Sequence, residues 1–309
     1  MATPDSSMRA KRIAGLGFDY AAASKVRVES CNLCGNPVFV GLTHHDRYGY
    51  PSTASGCSRC GLVFLDPVMT RDAYAAFYAR TYRPLVSAFH GRLIDARTIQ
   101  QEQRAYAAER GDLLAPYLSG RHRTLLDIGG STGVVADVLA RRFDLRATVI
   151  DPAPLETIEA QALGIETIEG LVEDVDLGTT RFDVVVLCQT IDHLLDITGT
   201  LARVRQLLTP LGLLFVDIVD FRAAYLRNWS VENAVKVDHP YYLTEATMVA
   251  YLLRAGLEIV RTDYAADHLH VGYVARPSTP QPDYMPPSAA TEGLWREVRL
   301  VHNAPVSRS

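Results

Sequence analysis

Between residues 121 and 276 the chain alternates short apolar runs with amphipathic stretches. RTLLDIG, RATVID, GIETIEG, FDVVVLC and LGLLFVDIV are rich in β-branched and aliphatic residues, as expected of parallel strands covered on both faces. Between them, VVADVLARRF, LETIEAQAL and TGTLARVRQLL carry apolar residues at helical spacing. The alternation predicts a doubly wound α/β domain. After the fifth run comes a long connection, FRAAYLRNWSVENAVKVDHPYYL, then a helix over EATMVAYLLRAG and two strands, LEIVRTDY and HLHVGYVARP. The AAD link between those last two is too short for a parallel crossover, so the pair must be antiparallel. The expected fold is α/β, with a seven-stranded sheet that ends in an antiparallel hairpin and a small N-terminal lobe in front of it.

Upstream, the pattern weakens. Residues 1–28 hold few large apolar groups and read as a loose tail, and residues 29–68 as the small lobe, with strands over VRVES and GLVFLDP. Residues 69–120 turn helical: RDAYAAFYARTYR sets Tyr74, Phe77, Tyr78 and Tyr82 at helical spacing, and a second helix follows over TIQQEQRAYAAERGDLLAPYL. This segment is expected to connect to, and form a lid over, the domain at 121–276. Residues 277–309 begin with a proline-rich linker, RPSTPQPDYMPP, and include a short helix around EGLWREVRLV.

Composition narrows the range of functions. Hydrophobic residues make up 48% and charged residues 21%, an ordinary globular balance, and the formal net charge of -4 gives no basic field to hold a nucleic acid backbone. No run approaches the roughly 18 uncharged apolar residues of a membrane helix, and the first residues lack a signal-peptide core. The expectation is a cytoplasmic protein that works on neither membrane nor nucleic acid; its oligomeric state is not legible.

Four of the five cysteines form two pairs, Cys31 with Cys34 and Cys57 with Cys60, separated by 22 residues, and a glycine follows each pair. Two Cys-x-x-Cys turns can aim four thiolates at one tetrahedral centre, and four cysteine ligands leave no position for water or substrate. The expected metal is therefore a structural zinc; reduced structural cysteines or a redox pair are the alternatives. Cys188 ends an apolar strand and reads as a small buried residue.

In open α/β sheets, ligands sit at the carboxyl ends of the strands near the reversal of strand order. The loop there is DIGGSTG, Asp127 to Gly133, and the next strand ends in Asp151, followed by Pro152. A glycine loop with an acid at the end of the second strand suits a nucleoside cofactor. Counting from Gly129, the third and sixth positions of a dinucleotide fingerprint are Ser131 and Val134, so a nicotinamide cofactor fits poorly.

With VIDPAP, GLVEDVDL, FDVVVLCQTIDHLLD and LLTPLGLLFVDI, this loop resembles the first motif and later segments of the class I S-adenosylmethionine-dependent methyltransferases. Ser131 stands where the middle glycine is usual, and Gly212 replaces a commoner double glycine. Together with the paired cysteines, the chain is similar to the subgroup with an N-terminal zinc-binding lobe, found among methyltransferases of sugars and other small metabolites. The resemblance implies a Rossmann-like domain that binds S-adenosylmethionine. Asp127, Gly129, Gly130, Ser131 and Gly133 would face the amino-acid part of the cofactor, Asp151 and Pro152 its ribose, Val172 and Glu173 (or Asp174) its adenine, and Gln189 its sulfonium.

Methyl transfer to a hydroxyl also calls for a base, for which His193 in QTIDHLLD leads and His239 in VDHPYYL follows; His268 and His270 fall far from the site. A histidine in its ordinary range would titrate near about 6.5. The expected activity is biosynthetic: methylation of a small-molecule acceptor, a hydroxyl of a sugar or other metabolite. Carbon methylation of a keto sugar is the alternative within the class. From other classes, the alternatives are a nicotinamide-dependent oxidoreductase and a zinc-ribbon binding protein.

Overall fold

The computed structural model describes residues 4–303; the first three residues and the last six of the expected tails lie outside them. In chain order, α1 (Pro4–Ala14), β1 (Lys25–Val26), β2 (Phe39–Thr43), β3 (Ala54–Cys57), β4 (Val63–Leu65) and β5 (Val68–Met69) lead to three helices, α2 (Arg71–Arg80), α3 (Tyr82–His90) and α4 (Ala96–Leu114). The alternating domain follows as β6 (Thr124–Ile128), α5 (Val134–Phe143), β7 (Arg146–Asp151), α6 (Pro154–Ala162), β8 (Glu166–Glu169), β9 (Phe182–Leu187), α7 (Ile197–Leu207) and β10 (Leu208–Val219). Then come α8 (Phe221–Asn228), β11 (Tyr241–Tyr242), α9 (Glu245–Arg254), β12 (Leu257–Tyr264), β13 (His270–Pro277) and α10 (Ser288–Asn303).

The main sheet has seven strands in the order β12-β13-β10-β9-β6-β7-β8. β13 runs antiparallel to both its neighbours, and the other pairings are parallel. This is the Rossmann-like sheet with a closing hairpin that the hydrophobic pattern predicts. The centres of its inner strands are buried: Val184 to Leu187 and Leu213 to Val216 are all at most 1% exposed. Helices cover both faces, so the apolar stripe of α5 (Val134, Val135, Leu139) packs on the face that holds Leu125, Val149 and Phe215. Strand order reverses at β6, which is flanked by β9 on one side and β7 on the other.

Three local expectations change. The N-terminal stretch is not loose throughout: α1 and the turn after it bury Ile13 and Tyr20 among Phe77 and Leu85. The aromatic segment breaks into two helices at Thr81, which caps the end of α2 and the start of α3. VRVES contributes only Val26, the second residue of β1, which pairs with β5.

The small lobe is also not built from a contiguous segment. Its sheet has the order β11-β4-β3-β2, and the outer strand is donated by Tyr241 and Tyr242, far downstream. α10 then covers this sheet, with Leu294 and Val298 packed among Val63, Leu65 and Leu42. Close approach is possible because residue 56 is glycine: a Cβ there would lie 2.1 Å from the Trp295 ring.

Phe215, fully buried on β10, lays the edge of its ring over Gly272 on β13, where a Cβ would be 3.0 Å from the ring. Phe215→Ala should cost about 3–5 kcal/mol. Urea unfolding followed by circular dichroism should show the transition midpoint lowered accordingly.

Candidate functional site

At the carboxyl ends of β6, β7 and β9 lies a cavity of about 190 Å³. Gly129, Ser131, Asp151, Pro152, Val172, Glu173, Gln189 and His193 all line it. The residues assigned from the sequence therefore converge, with qualifications. Gly130 and Gly133 do not face the cavity: a Cβ at Gly130 would lie 2.8 Å from the Asp127 carboxylate, and one at Gly133 would lie 2.8 Å from the Ala160 side chain. They allow the loop to settle on β6 and α6. Asp127 lies under the loop, fully buried, and neither carboxylate oxygen has a hydrogen-bond partner among the described residues. Burial and neighbouring Asp151 push its carboxyl up to about 7. Asp174 pairs with Arg71 instead of reaching the cavity.

Gly129 shows what the loop is shaped for. It has φ +71°, and a Cβ there would lie 2.4 Å from Thr190 across the gap, so only glycine brings the backbone this close to the end of β9. Asp151 accepts the amide of Ser131 at 2.8 Å and that of Ala153 at 2.9 Å, which leaves lone pairs on both oxygens for a diol. Burial, then Glu156, raises its carboxyl to about 7. A carboxylate with spare acceptor capacity beside a glycine-lined cleft fits the ribose and amino-acid ends of S-adenosylmethionine.

Ser131 has φ +51°, a conformation that favours glycine and explains the family's usual residue there. Its hydroxyl instead joins a network that the sequence did not reveal, donating to Glu156 and lying 3.3 Å from the Arg83 guanidinium. Arg83 reaches in from α3, makes a second bond to Glu156 at 2.8 Å and lies over the Tyr82 ring. Tyr78, Tyr82 and Arg83 thus line the cavity from the helical segment. The aromatic spacing pointed to this face, but no local signal singled out Arg83.

The two candidate histidines are adjacent, with ring centroids 4.2 Å apart, but they are not equivalent. His193 lies on the cavity between the edges of Tyr78 and Tyr82. Its Nδ1 is 3.0 Å from the Asp238 carbonyl, which also accepts the Tyr78 hydroxyl at 2.9 Å. The Tyr78 hydroxyl is also 2.9 Å from Nδ1; with the hydroxyl hydrogen given to the carbonyl, which only accepts, the arrangement that serves all three contacts puts the proton on Nδ1 and leaves the lone pair on Nε2. Burial, then His239, lowers its pKa to about 4.

His239 lies behind it, away from the cavity, with both nitrogens engaged: Nδ1 is 2.7 Å from Asp192 and Nε2 is 3.1 Å from the Lys236 ammonium. Asp192, His193 and His239 are close enough together to hold a metal ion, but Lys236 already places a cation at the His239 nitrogen. Burial lowers the pKa of Lys236, and although burial opposes it, His239 holds Asp192 and Asp238 below the usual carboxylate range. His268 and His270 lie on the far side of β10, as expected.

In the small lobe the four thiols converge, all within 4.8 Å of one another, with Cys31 to Cys60 at 3.5 Å and Cys34 to Cys57 at 3.6 Å. Four sulfurs at about 2.3 Å from a tetrahedral ion stand roughly 3.8 Å apart, so the set fits one metal. Cys188 is half-buried at the rear of the cavity, where burial pushes its thiol well up.

Among known proteins, residues 99–262 match a family described as a methyltransferase domain. The ubiquinone biosynthesis O-methyltransferase of Azorhizobium caulinodans is 25% identical over 151 residues, which cover 44% of this chain and 58% of the relative. That of Methylobacterium nodulans is 29% identical over 161 residues, 45% of this chain and 61% of the relative. The chain thus spans about three fifths of the length of these curated relatives. An O-methyltransferase family protein from Burkholderia thailandensis shares the fold at a TM-score of 0.53 with 16% identity, over 69% of this chain and 64% of that one. Mitomycin 7-O-methyltransferase MmcR does so at 0.51 with 19% identity, over 66% and 60%. The family match runs from α4 into β12 and takes in more than half of the 309 residues, so the chain belongs to the methyltransferase domain family and has the class I S-adenosylmethionine-dependent fold.

Proposed function

We propose that the protein is an S-adenosylmethionine-dependent methyltransferase that methylates a hydroxyl of a small-molecule acceptor, a sugar or other metabolite, and that zinc occupies its four-cysteine centre. The observation that carries this reading is the cavity itself, with a glycine loop and ribose-type carboxylate on one side and an imidazole lone pair on the other. Asp151 would hold the ribose, Val172 and Glu173 the adenine, and Gly129 with Ser131 the amino-acid end. When bound, S-adenosylmethionine supplies a methyl group on a sulfonium, an electrophile that needs no further activation.

The chain's own task is to orient the acceptor and receive its proton. Tyr78 and Tyr82 offer rings against which a flat or apolar ligand face can lie. His193 Nε2 is the proton acceptor. Asp192, His239 and Lys236 form a buried chain behind it, and burial, then His239, keeps His193 neutral. A base with a pKa of about 4 is in its working form across neutral pH, instead of switching on near the ordinary histidine value.

Three outcomes are expected. Elemental analysis of purified protein should find close to one zinc per chain, and a Cys57→Ser/Cys60→Ser double variant should lose it; wild-type protein expressed in zinc-supplemented medium but containing no metal would refute the zinc reading. Calorimetry should show that S-adenosylhomocysteine binds and nicotinamide dinucleotides do not. Each charge-assisted bond from Asp151 to a ribose hydroxyl is worth about 1.5–3 kcal/mol, so Asp151→Ala should weaken binding at least about tenfold. Wild-type affinity should be tighter at pH 8 than at pH 6, because the ionised carboxylate is the acceptor and its pKa is about 7. His193→Ala should bind S-adenosylhomocysteine normally and turn over about 10²-fold more slowly. Wild-type turnover should stay flat between pH 6 and 8 and fall only as pH drops toward 4, as His193 protonates. Undiminished turnover in a folded His193→Ala protein would leave positioning alone as the mechanism.

A further inference from the structure

The four-cysteine lobe touches both histidine segments. Asn32 lies in the turn between Cys31 and Cys34, and its side chain points out of the lobe toward the start of α7. Its amide donates to Asp196 at 2.8 Å, and its carbonyl oxygen accepts the Thr198 amide at 3.1 Å and the Tyr251 hydroxyl at 3.0 Å. The Asn32 backbone carbonyl accepts the Thr198 hydroxyl at 2.7 Å. Asp196 in turn caps α7 by accepting the Gly199 amide at 2.9 Å.

Only Leu194 and Leu195 separate this cap from His193, whose short helical turn spans Ile191–His193. Thus the carboxyl end of the His193 turn is tied to the first cysteine turn. The segment that carries His239 is tied to the second, because β11 pairs with β4 directly after Cys60, and Leu65 donates its amide to the Pro240 carbonyl at 2.9 Å. Cys31, Leu33, Cys57 and Cys60 share one apolar core with Ile191, Leu194 and Ile197, so these contacts sit on packed side chains.

A two-residue span has little freedom when both its ends are hydrogen-bonded. The Asp238 carbonyl holds one side of the His193 ring, and the Asn32 bonds fix the backbone that carries the ring. We propose that Asn32 is a positioning residue for His193: the first cysteine turn, locked by its metal, sets the orientation of the acceptor-side imidazole through the cap of α7. The glycine loop and Asp151, which would hold the ribose and amino-acid parts of the cofactor, are not bonded to this span; its one link to the proposed adenine end is the Leu195 amide, which donates to Glu173 at 3.0 Å.

The catalytic consequence rests on His193 as the base, but the contact can be tested without any acceptor. The probe is the imidazole of His193 in full-length, metal-replete protein, observed by ¹⁵N–¹H NMR and assigned with His193→Gln. The wild type should show a single Nδ1–H tautomer. Asn32→Ala should keep its metal and bind S-adenosylhomocysteine within about twofold of wild type, yet show the His193 nitrogens shifted toward the averaged tautomer position. Thr198→Val, which touches the same contact from the α7 side, should move them in the same direction by less. Unmoved His193 signals in both variants would overturn the proposal. So would loss of metal from Asn32→Ala while Thr198→Val leaves His193 in place, because the turn would then serve the metal only. A moved His193 with normal His193→Ala turnover would keep the positioning role and discard the base.

Discussion

The reversal of strand order at β6 is the constraint on which the site depends. β6 pairs with β7 on one side and β9 on the other, so the chain leaving β6 must turn away from both, and the loops after β6 and β9 part to leave a gap. The close approach of Gly129 to Thr190 sets the width of that gap. The groups proposed to hold the cofactor follow β6, β7 and β8 and the proposed base follows β9, so the sheet topology would itself separate the two tasks.

Legibility from sequence followed distance along the chain. β6 to β10 could be read because each is an apolar run whose partners are near neighbours in order, and the closing hairpin because a three-residue link permits nothing else. The four cysteines were legible for the same reason, as two local turns. Arg83, Lys236, Asp192 and Asp238 were not: each is an ordinary polar residue in its own segment and gains meaning only when α3, the turn after β9 and the connection before β11 meet. β11 illustrates the limit well. Two tyrosines in a long connection carry no strand signal, and they pair because β4 presents an unsatisfied edge.

The histidines show how burial can separate two identical side chains. His239 is enclosed by Asp192, Asp238 and Lys236, two carboxylates and an ammonium that balance part of one another's cost. His193, one ring outward, has a carbonyl on one nitrogen and the cavity beside the ring. Sequence could nominate both, but the hydrogen bonds rank them.

The seat of Trp295 against Gly56 and the pairing of β11 with β4 also bear on how the molecule comes together. The cysteine turns emerge before the parts that complete their sheet, which stays unfinished until residues 241 and 295 have been made. Long-range pairings of this kind form late, because loop closure must precede the contacts that reward it. The lobe is therefore begun well before it can be completed, and until then the apolar edge of β4 is open to whatever else in the cell binds an unpaired strand.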